Sequence, residues 1–358
     1  MEEKKLYPFR LTRIEDKYSW GSEQFRLADL GYRDTFVLDG WLSGNTMGDM
    51  METYLDRVTG DHIFDAYGVQ FPFQIRKIQV AGKMPLRVSP DDEMARDRYD
   101  HLGKEKLWYV LQAGKGSRLL IGFRRDTDAS ELYSECLEGN PENLMNTLEP
   151  RAGQFFFIPS GTPHCAFGEM SIVEVSESSA MDFCLCNWGS PEGLSEEFDP
   201  SLNIIDALDF IKYERYPEKL LAGRNLNDGE TSAEDAALGF ETLLKIKQFT
   251  VNKINLKQPI GIDTDRFGSC IAYTSLKGSF EIQTTPEVSP DSERLLAVTE
   301  GETALIPAEC SNFIIAPRTA DTVLLEVMVE KLPADDETFY PSGDGGEDLV
   351  GDGAEDLG

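Results

Sequence analysis

A seven-residue pattern, Gly-x-x-x-x-Ile-Pro, occurs twice in the chain, as GQFFFIP from Gly153 and GETALIP from Gly301. Each copy sets a glycine before, and a proline after, a short run able to form a strand, which predicts one turn-strand-turn unit built twice. Other short strand-like runs surround both copies. Residues 73–80, 106–112, 118–123, 154–158 and 172–176 form a first group, and residues 269–274, 279–283, 302–306 and 323–329 a second. Their brevity and Gly/Pro punctuation predict a mainly β protein of two sandwich or barrel domains. Residues 129–138 read as a helix with Asp128 as N-cap and Gly139 as stop. A second helical stretch covers residues 203–212, and the polar, acidic segment 222–237 reads as a linker or loose loop.

Charge narrows the possible roles. The 358 residues carry 34 Lys+Arg against 64 Asp+Glu, a net charge of −30, which repels phosphate backbones and anionic lipid and argues against nucleic-acid or membrane-surface partners. No apolar run is long enough to span a bilayer, and MEEKKLYPFR is not followed by an apolar signal stretch, so a cytoplasmic protein is expected. The six cysteines are too sparse for a disulfide framework and fit free thiols. Only Cys184 and Cys186 are close-spaced, without the second pair that a zinc ribbon needs. With Asp182 they share one strand face by alternation, which leaves open a relocated metal site or small residues filling core. His62, His101 and His164 are the whole histidine supply. Residues 335–358 hold nine acids and no Lys or Arg, an expected disordered tail, and a role as an interaction module recruited through it or through the second strand-rich domain stays open.

The stretch from Met84 (MPLRVSPDDEMARDRYDHLGKEKLWYVLQAG), together with PSGTPHCAFG from Pro159, resembles the type I phosphomannose isomerases. The likeness runs more loosely from Tyr18-Ser-Trp-Gly through residues 174–188 into the second strand group. It implies two cupin-type jelly-roll domains with a helical insertion or linker: residues 1–195 as the first cupin, 196–239 as linker, 240–334 as the second cupin and 335–358 as tail. The family is zinc-dependent and interconverts mannose 6-phosphate and fructose 6-phosphate. Its first cupin holds the zinc through Gln, His, Glu and His. Matched onto this chain, those ligands fall on Arg87, Ser89, Lys106 and His164, so three of the four are replaced. The family arginine falls on Cys184. The motif lysine remains as Lys104, and the motif serine as Ser179.

Two cations thus stand where ligands of a divalent metal would be, and no cofactor is expected. One reading is an anion pocket in which Arg87, Lys104, Lys106 and Ser179 receive a sugar or sugar phosphate. The other has Arg87 and Lys106 filling the old metal space and pairing with Glu174 or Glu177. Glu105 cannot replace the lost glutamate, because alternation turns it away from the face that Lys106 enters. A metal-free, non-catalytic binding protein is the first expectation. The alternative is a working isomerase in which Lys106 or Arg87 stabilises an enediolate, His164 or Glu174 is the base, and Lys104 keeps its place in the site. Trp20, Trp108 and Trp188 are read as core residues rather than as stacking platforms for a ligand.

Overall fold

The computed structural model of the protein describes residues 4–188, 203–224, 231–264, 268–285 and 294–331. The expected tail and residues 196–202 of the expected linker lie outside the described residues.

Among the described residues, eleven strands form in the first half: β1 (Phe9–Arg10), β2 (Ile14–Tyr18), β3 (Gly21–Leu27), β4 (Phe73–Lys83), β5 (Leu86–Val88), β6 (Lys106–Ala113), β7 (Arg118–Phe123), β8 (Met145–Leu148), β9 (Phe155–Ile158), β10 (His164–Glu177) and β11 (Phe183–Cys186). Nine follow in the second: β12 (Phe240–Lys245), β13 (Thr250–Leu256), β14 (Ile260–Ile262), β15 (Ile271–Lys277), β16 (Phe280–Thr284), β17 (Leu295–Val298), β18 (Thr303–Ile306), β19 (Phe313–Pro317) and β20 (Thr322–Met328). All the expected strands are present, and several are longer than their sequence pattern suggested. The run at residues 172–176 is the end of a fourteen-residue strand.

The twice-used pattern is a twice-used structure. Gly153 and Gly301 both hold positive φ, +86° and +78°, which an L side chain rarely adopts. Each leads into a four-residue strand, β9 or β18, that ends at the isoleucine before the proline. The surrounding order repeats too: β4-β10-β6-β9 in the ten-stranded sheet corresponds to β13-β20-β15-β18 in the six-stranded sheet, all antiparallel. The outward faces of these two sheets meet in one shared core, with Ile75, Leu107 and Val173 on one side and Val251, Ala272 and Val327 on the other. Because successive side chains alternate, the neighbours Arg76, Lys106, Trp108 and Glu174 turn to the opposite, inward face of the first sheet. The shared core therefore fixes which residues enter the first interior.

Three local features differ from expectation. The predicted 203–212 helix is only Ile204–Ala207: Asn203 Oδ1 accepts from the Ile205 and Asp206 amides, and the Lys212 amide leaves to bond Gly161 O. Part of the expected linker is helical, Ala233–Leu238, capped by Ser232 and stopped by left-handed Gly239. Three short helices between Met47 and Tyr67, and another over Asp92–Tyr99, have no counterpart in the sequence reading. The Ala129–Glu138 helix is as predicted, with Asp128 accepting from the Glu131 amide and Gly139 left-handed. No helix among the described residues is long and apolar enough to cross a membrane.

Candidate functional site

Register builds the site. On β10, Glu174 lies opposite Arg76 of β4 on one side and Trp108 of β6 on the other. Both neighbours donate to its carboxylate, Arg76 Nε to Oε1 at 2.7 Å and Trp108 Nε1 to Oε2 at 2.7 Å. Arg76 spends its other nitrogens on Glu23 of β3 (Nη1 to Oε2, 2.8 Å) and on Asp182 (Nη2 to Oδ2, 3.1 Å). Arg87, aligned with His164 on the neighbouring strand, donates to Glu23 Oε1 at 2.6 Å and lies 5.2 Å from the Trp20 ring centroid. Lys104 Nζ donates to Asp182 Oδ2 at 2.7 Å, and Ser89 Oγ to Asp182 Oδ1 at 2.9 Å. Lys106 Nζ reaches Asp182 Oδ1 as well and stands 3.0 Å from His164 Nε2.

These groups are all but sealed from water; Lys106 and His164 are each 1% exposed. Ion pairs at this depth offset their desolvation only when geometry and hydrogen bonding are near complete. Here four cations (Arg76, Arg87, Lys104, Lys106) meet three carboxylates (Glu23, Glu174, Asp182), which leaves one positive charge in surplus when His164 is neutral. The surplus bears on the ionisation of its neighbours. Burial, outweighing the pull of Asp182 and helped by Arg76 and Lys106, lowers Lys104 to about 8. Burial, with Lys106 beside it, pushes the His164 imidazole down to about 3. Burial would raise Asp182 and Glu174, but the cations win: Lys104 and Lys106 hold Asp182 well below the usual carboxylate range, and Arg76 does the same for Glu174.

The pairing expected of Arg87 and Lys106 takes different partners from those read in the sequence. Glu174 serves Arg76 and Trp108, and Glu177 points to the opposite face, where it accepts from the Glu105 amide at 2.8 Å. Glu23 and Asp182 carry the charges instead. Arg76 and Glu23 were absent from the sequence reading; Arg76 is a lone arginine on the inward face of an apolar strand, a faint signal, and Glu23 had none. Asp182 and Cys186 do not act together. A bulge between Cys184 and Cys186 shifts the register, and Cys186 packs in a separate apolar cluster with its thiol 3.7 Å from Cys136 O. Ser179 is beside the site and occupied by backbone, donating to Leu102 O at 2.7 Å. Glu105 turns outward as expected and accepts from Ser160. His62 contacts Val329 O, and His101 is exposed. Trp20 and Trp108 are buried, and Trp188 donates to Met84 O.

Zinc does not fit this donor set. Of the four matched positions, Arg87 and Lys106 offer only protonated donors, Ser89 gives its hydroxyl proton to Asp182, and His164 Nε2 faces the Lys106 ammonium. Among the described residues no group of three or more His, Cys, Asp or Glu is placed to hold a metal. The His164 Nδ1 lies 2.9 Å from Thr162 O, which fixes Nδ1 as the protonated nitrogen and Nε2 as acceptor. With only three histidines, this is readable by nitrogen-detected NMR. One imidazole is expected to stay neutral to below pH 5; three that all titrate near pH 6.5 would contradict the geometry.

Two antiparallel half-barrels back to back, with a buried charged cluster inside the first, define a double-cupin protein. By sequence and by fold its relatives are mannose-6-phosphate isomerases, of which the chain is a divergent relative. It is 29% identical to the mannose-6-phosphate isomerase of Streptococcus mutans over 109 residues, and 24% identical to that of Bacillus subtilis over 225 residues. Those stretches cover 30% and 62% of this chain but only 34% and 65% of the relatives' lengths. The crystal structure of a Bacillus subtilis mannose 6-phosphate isomerase superposes with TM-score 0.72 at 18% identity, covering 90% of this chain and 99% of that one. A zinc-bound mannose 6-phosphate isomerase superposes at 0.65 with 13% identity, covering 91% and 100%. No protein-family model matches the chain.

Proposed function

We propose that this protein is a metal-free, non-catalytic relative of the phosphomannose isomerases that binds a sugar or sugar phosphate in the cytoplasm. The observation that carries the reading is the Lys106 ammonium held between His164 Nε2 and Asp182. It places an internal amine nitrogen against the one surviving zinc-ligand position. The surplus positive charge favours an anion: a phosphate beside Arg87, Lys104 and Lys106 would more than offset it and favour protonated Lys104.

The candidate bases are poorly suited to proton abstraction near neutral pH. A general base works best with a pKa near the operating pH, whereas His164 lies near 3 and Glu174 below its ordinary range, engaged by Arg76 and Trp108. The alternative, an active isomerase, is favoured by one contact only, the 3.0 Å approach of a proton donor, Lys106, to an acceptor, His164.

Titration calorimetry with mannose 6-phosphate, followed by assay of the same sample for fructose 6-phosphate, separates the two. Saturable binding, weakened at least several-fold in Lys104→Met and without product, is expected. Product at enzymatic rates, abolished by His164→Ala, would establish the isomerase instead, and absence of binding would remove the ligand from the proposal.

A further inference from the structure

The duplicated architecture carries a duplicated triad. In the second sheet, Glu326 of β20 lies opposite Asn252 of β13 and Tyr273 of β15, the same strand order that sets Glu174 between Arg76 and Trp108. The contacts correspond as well: Asn252 Nδ2 donates to Glu326 Oε2 at 2.8 Å and the Tyr273 hydroxyl to Oε1 at 2.6 Å. The charged arginine of the first interior is here a neutral amide. In the first interior the cluster is closed by ion pairs, but here a cavity of about 240 Å³ reaches the triad, lined by Phe240, Thr242, Asn252, Ile260, Asp263 and Glu326.

We propose that this second interior binds a small, neutral, polyhydroxylated molecule of monosaccharide size. The volume is below the roughly 300–1,000 Å³ of sites for drug-sized ligands and suits a molecule of about six carbons. Part of its lining is apolar, with Phe240, Leu238, Ile260 and Ile262 available for the C–H face of such a ligand. Its base is polar: Asn252 and Glu326 line it, and Asn252 Oδ1 is left without a hydrogen-bond partner. Charge excludes phosphorylated ligands. Asp235, Asp263, Glu326 and Glu330 line the cavity against the single cation Lys245, which is itself paired with Glu330 at 2.7 Å. The two interiors thereby differ in selectivity, one carrying surplus positive charge and the other rejecting anions.

The test is saturation-transfer NMR on the full chain with D-mannitol as probe. Thr242 lines the cavity and lies opposite Asn252 on the neighbouring strand, so Thr242→Phe extends a side chain into the same space without altering the triad. Transfer at millimolar mannitol is expected in the wild type. It should fall at least five-fold in Thr242→Phe and in Asn252→Ala, with unfolding midpoints confirming that both variants fold. Mannose 6-phosphate should not displace the probe. No transfer in the wild type, transfer retained in folded Thr242→Phe, or displacement by mannose 6-phosphate would overturn the proposal. None of these outcomes depends on whether the first interior binds a sugar phosphate.

Discussion

Replacing Asp182 by alanine is expected to cost about 3–5 kcal/mol of stability, the usual consequence of removing one partner from a buried ion pair. The loss falls at the upper end because this one carboxylate accepts from Arg76, Lys104, Lys106 and Ser89. Without it, four buried cations would be left with two carboxylates. Replacing a lysine has the opposite logic. Lys104 carries the surplus charge, and burial already holds it near 8 rather than 10.5, so Lys104→Met should change stability by no more than about 1 kcal/mol. Lys104 also leaves a signature in pH. Between pH 8 and 10 the unfolded chain keeps a proton on this lysine that the folded chain has released, so the group's contribution makes stability rise with pH across that window. Urea titrations of the wild type and Lys104→Met should therefore converge or cross as pH rises from 8 to 10. Equal losses in Asp182→Ala and Lys104→Met would mean that the cluster has no charge surplus.

Restoring the metal centre is the second large effect. The combined variant Arg87→Gln, Ser89→His and Lys106→Glu replaces the three departed ligand types around His164. It removes two cations and adds one carboxylate, which takes the cluster from one positive charge to two negative, the charge that a Zn²⁺ ion neutralises. The variant should be markedly unstable without metal and gain stability with zinc. Metal bound only by the folded state contributes RT ln(1 + [L]/Kd), about 4 kcal/mol at a thousand-fold excess over Kd. Thermal melts of wild type and variant with zinc and with a chelator read this directly. A zinc-independent variant would show that the interior no longer has the geometry of a metal site.

Much of the fold was legible because it rests on local patterns. Strands β4, β6 and β7 announce themselves as short apolar-rich runs between turn residues, and the two glycines at 153 and 301 by the turns that precede β9 and β18. The site was legible at the positions the family motif marks, Arg87, Ser89, Lys106 and His164, and at Lys104. What escaped was long-range pairing. Glu23 is 64 residues from Arg87, and Asp182 is 76 from Lys106, and nothing local says which carboxylate will answer which cation. Alternation did predict that Glu105 and Lys106 part company, and the same rule sends Glu177 away from Glu174. The helices between Met47 and Tyr67 were missed because they are short, with segments broken by Leu55 and Gly60 at positive φ.

Whether the Lys106 ammonium stands in for a metal is tested most directly by elemental analysis of the protein, purified from zinc-replete medium without chelator. Less than a tenth of a zinc per chain is predicted. One tightly held zinc per chain would contradict it, because no such ion can share His164 Nε2 with the Lys106 ammonium.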